Sequence, residues 1–115
     1  MTGTAAGGSL LRIYLSESDH WEGRPLYDSI TRECLRHGLA GVTVLRGIDG
    51  FGADSHLHRR HLFPTQGDDL PVIVEILDSA ENINRIVPRV EAMVADGLII
   101  TQAVGLKAYN HPTKA

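Results

Sequence analysis

The sequence predicts an α+β domain with the element order β-α-β-β-α-β. This is the split βαβ, or ferredoxin-like, arrangement of one four-stranded antiparallel sheet with two helices on one face. Three observations predict it. Four short segments read as strands: Leu10–Leu15, Val42–Ile48, Leu70–Leu77 and Leu98–Val104. Two longer stretches between them repeat apolar residues at helical spacing. The third strand segment, LPVIVEIL, is apolar at nearly every position, as expected of a strand covered on both sides.

Taken in order, Met1–Ser9 is small and flexible in composition and is expected to be a disordered tail. In the first strand Leu11, Ile13 and Leu15 share one face, and Arg12 and Tyr14 share the other. Ser16–Arg24 is a polar connection around the single Trp, Trp21. Pro25 suits the first turn of a helix, where its missing N–H costs nothing. Leu26, Ile30 and Cys34 then follow at i, i+4 and i+8, and Gly38 suits the C′ position, so the first helix spans Pro25–His37. Asp49–Asp69 is long for a connection in a compact domain, and such loops are usually functional or disordered. Asp78 is placed to cap a second helix, with Glu81 reaching back in a capping box. Ile83, Ile86, Val87, Val90, Met93 and Val94 form its apolar stripe. Pro88 interrupts that stripe and predicts a kink or break. Gly97 ends the helix, and Lys107–Ala115 reads as a C-terminal tail, leaving 10–106 as the domain.

Two helices cover one face of four strands. The other face carries Thr43 or Val44, Val72 or Ile73, and Ile99 or Ile100, depending on register. An exposed apolar sheet face is an association surface, so a homo-oligomer is expected, with these faces turned inward.

Composition narrows the function classes. At 115 residues the chain makes one domain, and 43% hydrophobic against 22% charged residues is ordinary for a globular protein. Eleven basic and fourteen acidic side chains give a net charge of −3, so no nucleic-acid partner is expected. A single cysteine forms no internal disulfide and no thiolate zinc site, and Cys34 falls on the apolar stripe as a small buried hydrophobe. No apolar run approaches the ~20 residues of a membrane span, and the first nine residues lack a signal-peptide pattern. The expected location is cytoplasmic.

The segment DGFGADSHLHRRH, Asp49–His61, is the most informative for chemistry. Gly47, Gly50 and Gly52 cluster where the second strand ends. Glycines there either let backbone N–H groups approach a ligand such as a phosphate, or simply turn the chain. The spacing matches neither the dinucleotide fingerprint nor a Walker A loop. His56, His58 and His61 could ligate zinc or copper if the segment curls, or could be solvated. Arg59 and Arg60 could receive a phosphate or carboxylate, or form a solvated face. Trp21 either plugs the edge of the core or stacks on a flat ligand. Glu75 lies in an apolar run and needs a partner, and Arg46 near the end of the second strand is the candidate. No nucleophile and base stand in an arrangement that would argue for an enzyme.

The stretches LRIYLSESDHWEGRPLY, VTVLRGIDGFGADSHLH, DLPVIVEILDS and VEAMVADGLI resemble the family called domain of unknown function 190, which is PII-like. The motifs W-x-G-x-P-L-Y and R-G-x-x-G-F-G carry the resemblance, which covers Leu10–Val104. It implies a ferredoxin-like fold assembled as a homotrimer, as in the PII signalling proteins and the CutA divalent-tolerance proteins. It also implies a small-molecule effector, an adenine nucleotide, bound in clefts between subunits. Carried over by position, Gly50, Phe51 and Gly52 match the base of the PII long loop, with Gly47 close by, and the DLPVIVEI run brings in Glu75. One departure bears on the effector. PII proteins have a Gly/Lys-rich phosphate loop between the second helix and the fourth strand, where this chain has only Ala95-Asp96-Gly97. The tail also lacks the PII arginines. A nucleotide with fewer phosphates, or another small anion, fits the remaining groups better than ATP. In that family the long loop reaches into partner proteins, and the partner implied here is a membrane transport protein. The alternative is a CutA-like protein using His56, His58 and His61 for a divalent metal.

Overall fold

The computed structural model describes residues 6–50 and 69–107. Its elements are strand β1 (Ala6–Ser16), the short strands β2 (His20–Trp21) and β3 (Arg24–Pro25), helix α1 (Leu26–Arg36), strands β4 (Val42–Arg46) and β5 (Pro71–Ser79), helix α2 (Ala80–Met93) and strand β6 (Leu98–Leu106). The four long strands form one antiparallel sheet in the order β4-β5-β1-β6. The expected ferredoxin-like sheet with two helices is therefore what the chain builds.

Several boundaries differ from the sequence reading. β1 begins at Ala6, not Leu10, so residues 6–9 are strand and not a disordered tail. Partners on both sides explain this: Gly8 pairs with Ser79 of β5 and with Val104 of β6, giving the small residues backbone bonds that composition does not reveal. β2 and β3 make a hairpin within the expected polar connection. Its turn residues, Glu22 and Gly23, have φ of 50° and 84°. Positive φ at both central positions is the two-residue turn whose twist matches paired strands, and it accounts for the glycine of W-x-G-x-P-L-Y.

The core lies between the sheet and the helices. Leu11, Ile13 and Leu15 of β1 and Val72, Val74 and Ile76 of β5 meet Leu26, Ile30 and Cys34 of α1 and Ile83, Ile86 and Val90 of α2. Each such side chain contributes roughly 1.5–3 kcal/mol when fully buried. Trp21 packs against this cluster, which fits the plug reading. Cys34 is fully buried, and burial first, with Glu33 second, pushes its thiol up to about 12. A thiol held neutral in this way is not a nucleophile.

The start of α2 corrects the expected cap. The N-cap is Ser79, whose side chain accepts from the Asn82 N–H at 3.1 Å. Asp78, one residue earlier, is buried completely. It accepts from Ala40 N at 2.8 Å, Ser79 N at 2.7 Å and Asn82 Nδ2 at 2.9 Å. It therefore ties the connection between α1 and β4 to the start of α2. α2 also runs through Pro88 as one helix, so of the kink or break expected there the break does not occur. Pro88 is exposed, so its ring displaces no core side chain. Pro88→Ala restores a helical N–H donor and relaxes the ring against the preceding turn, partly offset by a freer unfolded chain. It is expected to stabilise the protein by about 1–2 kcal/mol, read as a higher melting temperature. An unchanged or lower melting temperature would show that the ring costs this helix nothing.

Register fixes the opposite face of the sheet. Cross-strand partners point the same way, so Thr43, Glu75, Arg12 and Ile100 make one row across all four strands. Leu45, Ile73, Tyr14 and Leu98 make the next row. Of the alternatives left open, Thr43, Ile73 and Ile100 face away from the helices. Leu45, Leu77 and Leu98 are about half exposed there. Among the described residues no helix is long and apolar enough to cross a membrane.

Candidate functional site at the open end of the sheet

The last residues of β4 and the first of β5 stand together at one end of the sheet, with the connection leaving β1 beside them. Gly47 N donates to Pro71 O at 2.7 Å, and Glu17 N donates to Leu70 O at 2.8 Å. The exit from β4, the entry to β5 and the exit from β1 therefore share one corner. The buried Asp69 carboxylate accepts from Ser18 N at 3.0 Å and from Ser18 Oγ at 2.6 Å. Asp19 Oδ2 accepts from Ser16 N at 2.9 Å, and Asp19 O accepts from Leu26 N, at the start of α1, at 2.7 Å. Arg46 Nη2 meets Glu17 Oε2 at 2.7 Å. The β1–α1 connection is thus fastened to the strand entering the 51–68 segment and to the strand leaving it.

The proposed site residues that the structure describes can be placed against this corner. Arg46, Gly47 and Gly50 lie on it. Gly50 has φ of 143°, a backbone conformation that L side chains rarely adopt. The N–H groups of these glycines are engaged: Gly47 by Pro71 O, and Gly50 by Asp49 Oδ1 at 2.8 Å. An anion seated on the Gly50 amide would take the place of the Asp49 carboxylate. Phe51, Gly52, Arg59, Arg60, His56, His58 and His61 lie outside the described residues.

Glu75 is not part of the corner, and its expected pairing with Arg46 does not occur. Arg46 is opposite Val72 on the helix-covered side, whereas Glu75 is opposite Arg12 on the other side. Two residues on opposite sides of a sheet cannot meet. Glu75 Oε2 instead takes Arg12 Nε at 2.8 Å and Arg12 Nη2 at 2.7 Å. Strand alternation had placed Arg12 on that face, but only register makes it the partner.

Glu17, Ser18 and Asp69 were missed as members of the corner. The signal available was thin: a run of small polar residues after the first strand and a carboxylate just before the third. Among the described residues no group of three His, Cys, Asp or Glu side chains could hold a metal. The three histidines of the divalent-metal alternative lie outside the described residues.

The four-stranded antiparallel sheet with two helices on one face is a fold that the chain shares with solved PII-like proteins. A PII-like signalling protein from Thermus thermophilus superposes with a TM-score of 0.62 at 18% identity, covering 90% of this chain and 92% of that one. The Thiomonas intermedia protein CPII, described as a nitrogen regulatory PII-like protein bound to ADP, AMP and bicarbonate, also superposes with a TM-score of 0.62. Its identity is 17%, over 93% of this chain and 94% of that one. In sequence, a UPF0166 protein of Aquifex aeolicus is 37% identical over 95 residues, 83% of this chain and 89% of that protein. Residues 8–106 match the family model DUF190, described as Uncharacterized ACR, COG1993, and the chain belongs to that family.

Proposed function

We propose that the protein is a non-catalytic PII-like sensor. It assembles as a homotrimer and binds an adenine nucleotide in the clefts between subunits, beside Arg46, Gly47 and Gly50. It signals through residues 51–68 to a membrane transport protein. The observation that carries this reading is the corner itself. The R-G-x-x-G-F-G motif begins there, and β5 begins at the same place. The complex of the Thiomonas protein with ADP, AMP and bicarbonate supports the ligand class, because the two folds agree over nearly their whole length. Ala95-Asp96-Gly97, without a lysine, favours a nucleotide with fewer phosphates than ATP.

Signalling in such a protein is a population shift. The effector must bind one arrangement of the 51–68 segment better than another. The fastening of the β1–α1 connection to both ends of that segment gives such a shift a route to α1.

The test is a thermal-shift panel of AMP, ADP, ATP and cyclic AMP, with and without magnesium. A ligand at ~100 times its dissociation constant adds about 2.7 kcal/mol, a rise of several degrees for a domain this size. One nucleotide, AMP or ADP before ATP, is expected to give that rise. Gly50→Val is expected to abolish it while leaving the oligomer intact, because a β-branched residue does not accept the Gly50 backbone conformation. A flat panel, or an undiminished rise in the variant, counts against this site.

A further inference from the structure

Arg12 and Glu75 are the two charged residues among the described strand positions of the sheet face that the helices leave bare. They stand on the two central strands, directly opposite in register. Apolar residues flank them: Tyr14, Ile73, Leu45 and Leu98 on one side, Leu10 and Leu77 on the other. The side chains are still 29% and 27% exposed, so any molecule that covers the face buries the pair.

The pair is not closed on itself. Both guanidinium contacts converge on Oε2 of Glu75. Oε1 takes no hydrogen bond from any described residue. The guanidinium has five N–H groups; two are used on Oε2 and the neighbouring Tyr14 side chain engages it as well, which still leaves donors over. The centre of the face therefore offers one acceptor and one set of donors. An apolar partner would bury both without a partner of their own, which is costly for charged groups. A second copy of this chain supplies a donor for the acceptor and an acceptor for the donor.

We propose that Arg12 and Glu75 are the groups by which this face selects a like chain. The guanidinium of one copy donates to Oε1 of Glu75 on the next, so that the pairs join into a closed ring of alternating charge around the symmetry axis. This rests on the self-association proposed above. The apolar rows supply area, which any hydrophobic face could match. The charges supply register and choice of partner, because a mismatched charge in a desolvated interface is repelled.

The test uses the charge-swapped chain Arg12→Glu/Glu75→Arg, which keeps a pair within each chain and keeps the face neutral. Wild-type and swapped chains carrying different mass tags are unfolded, mixed, refolded together and counted by native mass spectrometry. Each is expected to assemble with itself, with mixed oligomers depleted about tenfold or more below the statistical share. Statistical mixing would overturn the proposal while leaving self-association standing. A wild-type chain that stays monomeric would remove the self-association beneath it. If the swapped chain does not assemble alone, the neutral chain Arg12→Met/Glu75→Gln decides. Severalfold depletion from mixed oligomers with wild type supports the charge ring, and statistical mixing overturns it.

Discussion

Asp78→Ala is expected to lower the melting temperature by on the order of 10 °C or more, the largest effect of any polar substitution in the described structure. The carboxylate is fully buried and accepts from the backbone of Ala40 and Ser79 and from the side chain of Asn82. Alanine leaves these donors without an acceptor in a site that excludes bulk water. Each orphaned buried group costs about 1–3 kcal/mol, so the sum reaches at least about 3 kcal/mol. The damage is not local. Ala40 follows α1 and Ser79 caps α2, so the substitution loosens both helices from β5. Asp78→Asn is expected to fall between wild type and alanine, because the amide keeps one acceptor oxygen but brings an –NH2 to face the same donors. Equal melting temperatures for Asp78→Ala and wild type would show that the donors find other acceptors.

Glu33→Gln is expected to remove much of the protein's stability gain between acid and neutral pH. Burial alone would raise the Glu33 pKa. Hydrogen bonds from Arg36, Arg89 and His37 outweigh it and bring the carboxyl from 4.5 down to about 2. Arg36 Nη2 reaches Oε1 at 2.8 Å and His37 Nε2 lies 3.0 Å from Oε2, which also takes the Arg89 Nε–H from α2. A folded-state pKa below the unfolded value stabilises the protein above the unfolded pKa. That stabilisation is lost as the pH falls from 4.5 through about 2. The full shift corresponds to about 3 kcal/mol, and solvent screening at the half-exposed Arg36 and Arg89 reduces it, leaving about 1–3 kcal/mol. Denaturant titrations at a series of pH values check this. The gap between wild type and Glu33→Gln is fully open above pH 4.5 and closes as the pH falls toward 2. A gap independent of pH over that window would mean that the paired charge is not its source.

These two carboxylates show where sequence reading stops. Glu33 stands three residues after Ile30 and seven after Leu26, so its spacing places it at the edge of the buried stripe, but spacing does not name its partners. Its reach to Arg89 depends on how closely α1 and α2 lie, which neither helix encodes alone. Asp78 was legible as a helix-start residue, and the structure moves the cap by one position and sends the Asp78 side chain inward. The candidate corner was legible only in part. R-G-x-x-G-F-G marks the exit from β4, but Ser18 and Asp69 are 51 residues apart and meet only because β1 and β5 are neighbours.

The sequence by itself determined the order of the long strands and helices, the face the first strand buries, the burial of Cys34 and the core stripe of both helices. These follow from periodicities of two and 3.6 residues, which are properties of consecutive side chains. Tertiary structure alone decided that Glu75 pairs with Arg12, 63 residues away, and not with Arg46. Strand alternation names the side of the sheet, but the partner is set by register, and register is fixed by the packing of whole strands against the helices.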